Sequence, residues 1–263
     1  MYYYHQKRGK ENREQKALEE DGLGEQVEEV FRQNRQVYGS RKIKAVLAHR
    51  GVTVSRRKVC RLMGRRGLVA QLGRRKPKPA KERSNQCPER NLLNRRFHDQ
   101  EPGAVIVSDL TYVRVGGTWN YVCILLDLHN REIVGHSVGT RKTAELVYEA
   151  FAKAKVPLTG VQLFHTDRGK EFDNELLREL LAAFGIQHSL SAKACPYDNA
   201  VAEAAFKVIK AEFVNRRGFQ NLEQLRLQLA DYIHWYNHIR VHSALGYVAP
   251  VRYRLAIGDC ASG

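Results

Sequence analysis

Between residues 101 and 218, runs that read as strands and runs that read as helices follow in a fixed order, and that order leaves few folds open. "AVIVSDLTYVRV" (104–115) is rich in β-branched residues and reads as a strand. "WNYVCILLDLHN" (119–130) follows the Gly116-Gly117 turn, and "REIVGHSVG" (131–139) reads as a third strand. Connections this short favour an antiparallel meander. A helix is expected over 141–155, a buried strand in "VQLFHTD" (161–167), and a helix over 173–184. A strand in "IQHSLS" (186–191) and a helix over 198–214 complete the series. Three strands, helix, strand, helix, strand, helix predicts a mixed sheet with helices on its faces, an α/β layer architecture.

Acidic residues inside such apolar runs need an explanation. Asp109 interrupts "VIVSDLTYV", where a buried carboxylate without a partner is costly. Asp167 ends "VQLFHTD" just where a loop begins at Arg168-Gly169, and ligands of α/β sheets collect near strand ends. The third, Glu203, lies in the helical run "YDNAVAEAAFKVIKAE" (197–212). There Asn199, Glu203 and Lys210 fall close to one stripe at about 100° per residue, while Val201, Ala205, Val208 and Ala211 occupy other faces. Three carboxylates on two strands and a helix repel one another and require a divalent cation. Hard oxygen ligands suit Mg²⁺ or Mn²⁺. Asp127 is a rival carboxylate, but the turn "DLHNRE" gives it a capping role. His165 and His188 border strands and read as packed, hydrogen-bonded histidines.

Charge separates a second region from this core. The formal net charge is +16, and residues 1–100 hold 26 of the 44 basic residues but only 11 of the 28 acidic ones. Residues 1–31 are slightly acidic, so the basic block is 32–100. A block of this kind implies a polyanionic partner, and double-stranded DNA fits. In "GSRKIKAVLAHRG", Ser40 is placed to cap a helix, Ile43, Val46 and Leu47 form its apolar stripe, and Gly51 ends it. Ser55 is placed to cap "SRRKVCRLMGRRG", with Val59, Leu62 and Met63 inward and Arg56, Arg57, Lys58 and Arg61 outward. Two short helices joined by a tight turn, the second loaded with arginine, form a helix-turn-helix pattern. Arg41, Lys42, Arg56, Arg57 and Arg61 are its candidate DNA contacts; Arg168, Asn199 and Lys210 are those of the core.

The organisation expected is a tail at 1–23, a helix-turn-helix-like domain at 24–72 and a basic, proline-containing linker at 73–100. A catalytic core at 101–218 and a helical extension at 219–263 follow. In the extension, "YIHWYNHIRVHSALGYVAPVRYR" packs its aromatics on the core and leaves Arg240 and His242 placed to meet DNA. No run is long and apolar enough to span a bilayer, and five scattered cysteines without a C-x-x-C pair fit a reducing cytoplasm.

The spacing of Asp109, Asp167 and Glu203, with Lys210 seven residues beyond, resembles the DDE signature of transposases and retroviral integrases. The words "SDLTYV", "LLDLHNREIVGHSV", "HTDRGKEF", "PYDNAVAEAAFKVIKAE" and "YIHWYNHIRVHSALGYVAP" resemble the second-frame (OrfB) transposases of the insertion-sequence-3 family. "VYGSRKIKAVLAHRGVTVSRRKVCRLMGRRGLV" is similar to that family's helix-turn-helix segment, so the likeness runs from about residue 30 to 255. It implies a ribonuclease-H-like integrase core, a mixed five-stranded sheet with helices on both faces. It also implies that Asp109, Asp167 and Glu203 hold two Mg²⁺ or Mn²⁺ ions for DNA cleavage and strand transfer. Partners implied are element-end and target DNA, further copies of the chain, and a first-frame (OrfA) protein, fused or separate. Thr166, Glu171 and Ala204 stand where Ser, Gln and Ser are usual, and Ala194-Cys195 where Gly-Asn is usual. Of these, Glu171 adds a negative charge near the DNA path. A ribonuclease-H-like nuclease without strand transfer needs the same triad. A non-catalytic DNA-binding regulator needs only residues 24–100 and leaves the three carboxylates unexplained.

Overall fold

A computed structural model describes residues 2–70, 91–192 and 195–261. The chain divides into two compact units, residues 1–73 and 74–263. The expected linker lies outside the described residues over 73–90.

The first unit contains three helices, α1 (Tyr2–Gln33), α2 (Ser40–His49) and α3 (Arg56–Arg65). Val27, Val30 and Phe31 of α1 are buried, as are Ile43 and Leu47 of α2 and Val59, Leu62 and Met63 of α3. This is the apolar spacing read from the sequence, closed by a third helix. The segment read as a tail is helical from Tyr2 and continues unbroken into the helix that packs on α2 and α3. Its polar composition hid that continuity, since no apolar stripe marks the stretch. Ser55 caps α3, accepting the Lys58 amide at 3.2 Å. Ser40 does not cap α2; it is the first helical residue, and Gly39 takes the cap position without a side-chain bond. Gly51 follows α2 with φ +81, a conformation that favours glycine.

The second unit is built on five strands: β1 (Val105–Val115), β2 (Thr118–Asp127), β3 (Ile133–Gly139), β4 (Leu163–Thr166) and β5 (Gln187–Leu190). Their order is β3-β2-β1-β4-β5. The first three form the antiparallel meander, and β4 joins β1 in parallel, with β5 parallel to β4. The sheet is therefore mixed, as the element order requires. Helix α4 (Ala144–Ala152) makes the crossover into β4, and α5 (Glu175–Ala183) the crossover into β5. Both pack around Phe164, with Phe151 edge-on at 4.8 Å and Ile106, Cys123, Leu125 and Phe172 about them. Each such ring contributes about 1.5–3 kcal/mol by leaving water. Alternate residues of the same strands, Val105, Val107, Ile124 and Leu126, face the opposite way and are buried too. Helix α6 (Ala200–Glu212) packs along β1 and α7 (Leu222–His238) along β3, where Asn237 bonds both backbone groups of Ile133 at 2.9 Å. A last helix, α8 (Pro250–Ala261), packs on α7.

One segment departs from the expected organisation. Residues 91–100 pack on the core: Leu93 is buried with its amide on Ser189 Oγ at 3.1 Å, and the Arg95 guanidinium meets Asp198 at 2.7 Å. In the extension Tyr232, Trp235 and Tyr236 are buried, as its aromatic spacing suggested. Phe219 bridges Val115 at the β1–β2 turn, and the Gly116 amide donates to its carbonyl at 2.8 Å.

Candidate active site

Asp109 sits within β1, two residues beyond the last β1–β4 pair, Val107↔His165. The strand β4 ends at Thr166, so Asp167 opens the loop beside it. Register therefore brings the two carboxylates to neighbouring strands near the end of β4. Asp109 accepts the Leu110 amide at 2.7 Å, and Asp167 accepts the Gly169 amide at 2.9 Å. Glu203 lies in the first turn of α6, at the position where a helix dipole favours a carboxylate. Burial pushes the Asp109 carboxyl up to about 7, and the charges of Asp167 and Glu203 add to that rise against a partial offset from Lys142. The three groups thus feel one another.

In this state Glu203 is paired with Lys207 at 3.1 Å. Among the described residues no three His, Cys, Asp or Glu side chains already converge as a metal cage. The donor set nevertheless fits a hard divalent cation. It is all oxygen, and an added cation offsets the burial and the neighbouring charges that raise Asp109. One consequence is measurable in the metal-free protein. A carboxyl raised in the folded state contributes stability below its unfolded value near 3.8 and loses it as pH rises through about 7. Asp109→Asn is therefore expected to stabilise the metal-free chain by a few kcal/mol at pH 8, and by little at pH 4, in paired urea titrations.

The start of α6 is fastened from within. Asp198 is fully buried; burial works against its charge, but Arg95, the Ala192 amide (2.9 Å) and Cys195 outweigh it, holding its carboxyl below the ordinary range. Asn199 donates to the Ser108 carbonyl at 3.0 Å and so ties α6 to β1 immediately before Asp109. It is 5% exposed, so it anchors the helix and does not reach DNA. Its side chain does not cap α6. Sequence reading missed the roles of Asp198 and Arg95, although an acidic residue beside Asn199 in "PYDNA" was the available signal.

The other expected contacts divide. Arg168 is exposed and braces the loop by donating to the Ser191 carbonyl at 2.8 Å. Lys210 places its ammonium over the Tyr112 ring, 4.6 Å from the centroid. Glu171 is buried and paired with Lys142 at 2.7 Å, so it presents no free negative charge to DNA, contrary to expectation. Lys142 is a basic neighbour of the carboxylates that no local pattern marked. Arg240 and His242 also do not face DNA. Arg240 is 6% exposed and makes two bonds to the buried Glu212 at 2.7 and 2.8 Å, with His242 2.9 Å from its other nitrogen.

Asp127 accepts the His129 and Gly103 amides at 2.9 and 3.0 Å, the turn-capping role its position suggested. His165 lies between Ser189 and Ser191 at 2.8 and 3.2 Å, and His188 bonds Thr166 at 3.1 Å.

In the first unit Arg41, Arg56 and Arg57 are exposed. Lys42 is folded against the Tyr38 ring at 4.8 Å, which takes it from the contact set expected. Arg61 is bound to Glu20 of α1 at 2.7 Å, and Arg65 shares the same carboxylate at 3.0 Å. Arg66 reaches Glu28 at 2.9 Å. Acidic residues of α1, silent in a two-helix reading, thus neutralise the far half of the α3 arginine row.

A mixed sheet with an in-strand Asp, a strand-end Asp and a helical Glu defines an integrase-type core. Comparison with known proteins agrees: integrase core domain models match residues 99–196 and 184–250, and an HTH-like domain model matches 18–77. Over 237 residues the chain is 31% identical to the transposase for insertion sequence element IS904 of Lactococcus lactis subsp. lactis, covering 89% of this chain and 93% of that protein. It is 28% identical over 267 residues to the transposase for insertion sequence element IS629 of Shigella sonnei, covering 98% and 89%. Among solved structures it is similar to the HTLV-2 integrase catalytic core domain in complex with magnesium, at 15% identity and TM-score 0.47, over 58% of this chain and 96% of that one. The chain belongs to the insertion-sequence DNA transposases, of the insertion-sequence-3 type.

Proposed function

We propose that Asp109, Asp167 and Glu203 are the catalytic carboxylates of this transposase and hold two Mg²⁺ or Mn²⁺ ions. The observation that carries this reading is geometric: Asp109 within β1 stands beside the end of β4, where Asp167 opens the loop, and Asn199 at the start of α6 is bonded to Ser108 next to Asp109. When bound, the ions supply charge neutralisation at the scissile phosphate and activation of water or a DNA 3′-hydroxyl. The residues of the chain do the rest. Asn199 fixes the start of α6 to β1 and Asp198 fixes it to Ala192 and Arg95, which sets where Glu203 stands. Lys207 pairs with Glu203 at 3.1 Å, and Glu203 would be among the residues that hold the cation. Lys210, two turns on, offers its ammonium to a neighbouring phosphate, and Arg168 offers its guanidinium to one beside Asp167. The chain acts on element-end and target DNA in the bacterial cytoplasm, at the nucleoid. It works as a homo-oligomer with, or fused to, a first-frame partner.

The test is incubation with labelled element-end DNA and Mg²⁺, scoring nicking and joining separately. Joined product supports a transposase carrying out strand transfer with these residues. Nicking alone points to a nuclease, and neither product removes the catalytic assignment.

DNA binding by the first unit rests on its exposed arginines. Affinity is expected to fall steeply with salt, with Arg56→Ala/Arg57→Ala lowering the slope by about 2 in log affinity against log salt. Arg61→Ala should change it less, because Glu20 already neutralises that side chain. Filter binding across a salt series measures both; equal slopes for all three proteins would refute the division.

A further inference from the structure

The strand β4 pairs with only Val105, Ile106 and Val107 of β1, so the remainder of the β1–β2 hairpin projects past the parallel half of the sheet. On one face of this projection the register sets Tyr112 opposite Tyr121 and Arg114 opposite Trp119. Tyr112 and Trp119 are therefore diagonal neighbours, and their rings meet edge to face with centroids 5.1 Å apart. Each is 56% exposed. Diagonal aromatic pairing stabilises a hairpin, which accounts for their contact. It does not account for two large rings left uncovered on a hairpin whose turn is already fastened to Phe219.

The surroundings of the rings are cationic. Arg114 is exposed beside Trp119, and Lys210 stands over Tyr112. Arg114 donates only weakly, to the Gly117 carbonyl of its own hairpin turn at 3.4 Å. Two spacings then agree. Tyr112 lies three residues along β1 from Asp109, about 10 Å at the rise of a strand. Lys210 lies seven residues along α6 from Glu203, also about 10 Å at the rise of a helix. The two spacings are equal along strand and helix; alternation turns Tyr112 to the face of β1 opposite Asp109, and Lys210 reaches its ring there.

Aromatic faces flanked by cations suit an unpaired nucleotide, whose base stacks while its phosphates are neutralised. We propose that Tyr112 and Trp119 form a stacking platform for an unpaired base of the DNA strand, with Arg114 and Lys210 holding the adjoining phosphates. The proposal rests on the reading of the neighbouring carboxylates as DNA-cutting groups. It gives the protein a means of holding a strand splayed from the duplex a few nucleotides from the cut. Since every base has a stacking face, the platform is indifferent to sequence.

The chain has two tryptophans, and Trp235 is 4% exposed, so Trp119 dominates what an added quencher can reach. Tryptophan emission of the full chain is followed in EDTA, where cutting does not interfere, on adding a short single-stranded oligonucleotide or a blunt duplex of the same sequence. The single strand is expected to quench Trp119 more strongly than the duplex, and Trp119→Phe to abolish that quench. Tyr112→Ala should weaken single-strand binding about tenfold, the loss expected for one base stack. No quench by the single strand overturns the platform. So does a quench that follows protein concentration without DNA, which would mean that a second copy covers the rings. Readout without metal keeps this test apart from catalysis. A quench without cutting retains the platform and removes the catalytic reading, whereas cutting without a quench does the reverse.

Discussion

Asp109→Asn, Asp167→Asn and Glu203→Gln are each expected to lower DNA cleavage by about three orders of magnitude or more, with duplex binding nearly unchanged. Each substitution keeps the side-chain volume and removes one negative charge from the proposed cation site. Losing several kcal/mol of charge stabilisation at the phosphate, at about 1.4 kcal/mol per factor of ten, gives that size. Binding survives because the basic surface in the first unit is untouched. Asp127→Asn is the control. Its carboxyl holds two turn amides, so the change should lower stability and leave the rate per folded molecule the same. Single-turnover cleavage of element-end DNA, with binding measured in parallel, separates these outcomes. Near-normal cleavage by any one of the three variants would take that residue out of the catalytic set.

Arg240→Ala should be the most destabilising single change in the second unit, at about 3–5 kcal/mol. Arg240 and Glu212 have side chains 7% and 0% exposed, and Tyr232 adds a bond to Glu212 at 3.1 Å. Removing the guanidinium leaves a buried carboxylate that has lost its countercharge and two of its hydrogen bonds, with the Tyr232 hydroxyl still donating to it. Replacing both partners at once, Glu212→Gln with Arg240→Met, should cost far less than the single change. Urea unfolding of the three proteins decides the matter, and equal losses for single and double variants would show that packing, not the charge pair, dominates.

The strand and helix order was legible because its signals are local. β-Branched runs, a Gly-Gly turn and apolar spacing each act within about ten residues. The odd placement of Asp109 and Asp167 was legible for the same reason, since a carboxylate in an apolar run stands out wherever it is. Roles set by distant partners were not. Asn199 bonds a carbonyl 91 residues away and Arg240 a carboxylate 28 residues away, and neither distance leaves a pattern in the sequence. Composition told that the first hundred residues are basic without telling which arginines are already answered. Glu20 and Glu28 settle that by folding α1 against α3. Lys42 failed for a related reason, as its long stem lets the ammonium turn back onto Tyr38.

The Glu212–Arg240 pair also imposes an order on synthesis. A ribosome delivers Asp109, Asp167 and Glu203 well before Arg240, so every carboxylate of the proposed cutting centre exists while its helix still lacks the far anchor. A nascent or prematurely stopped chain of that length has Asn199 to tie the start of α6 to β1, but Glu212 at the helix's far end still lacks the Arg240 guanidinium. The last anchor of the helix that carries Glu203 therefore arrives only in a product that has been translated past the end of α7.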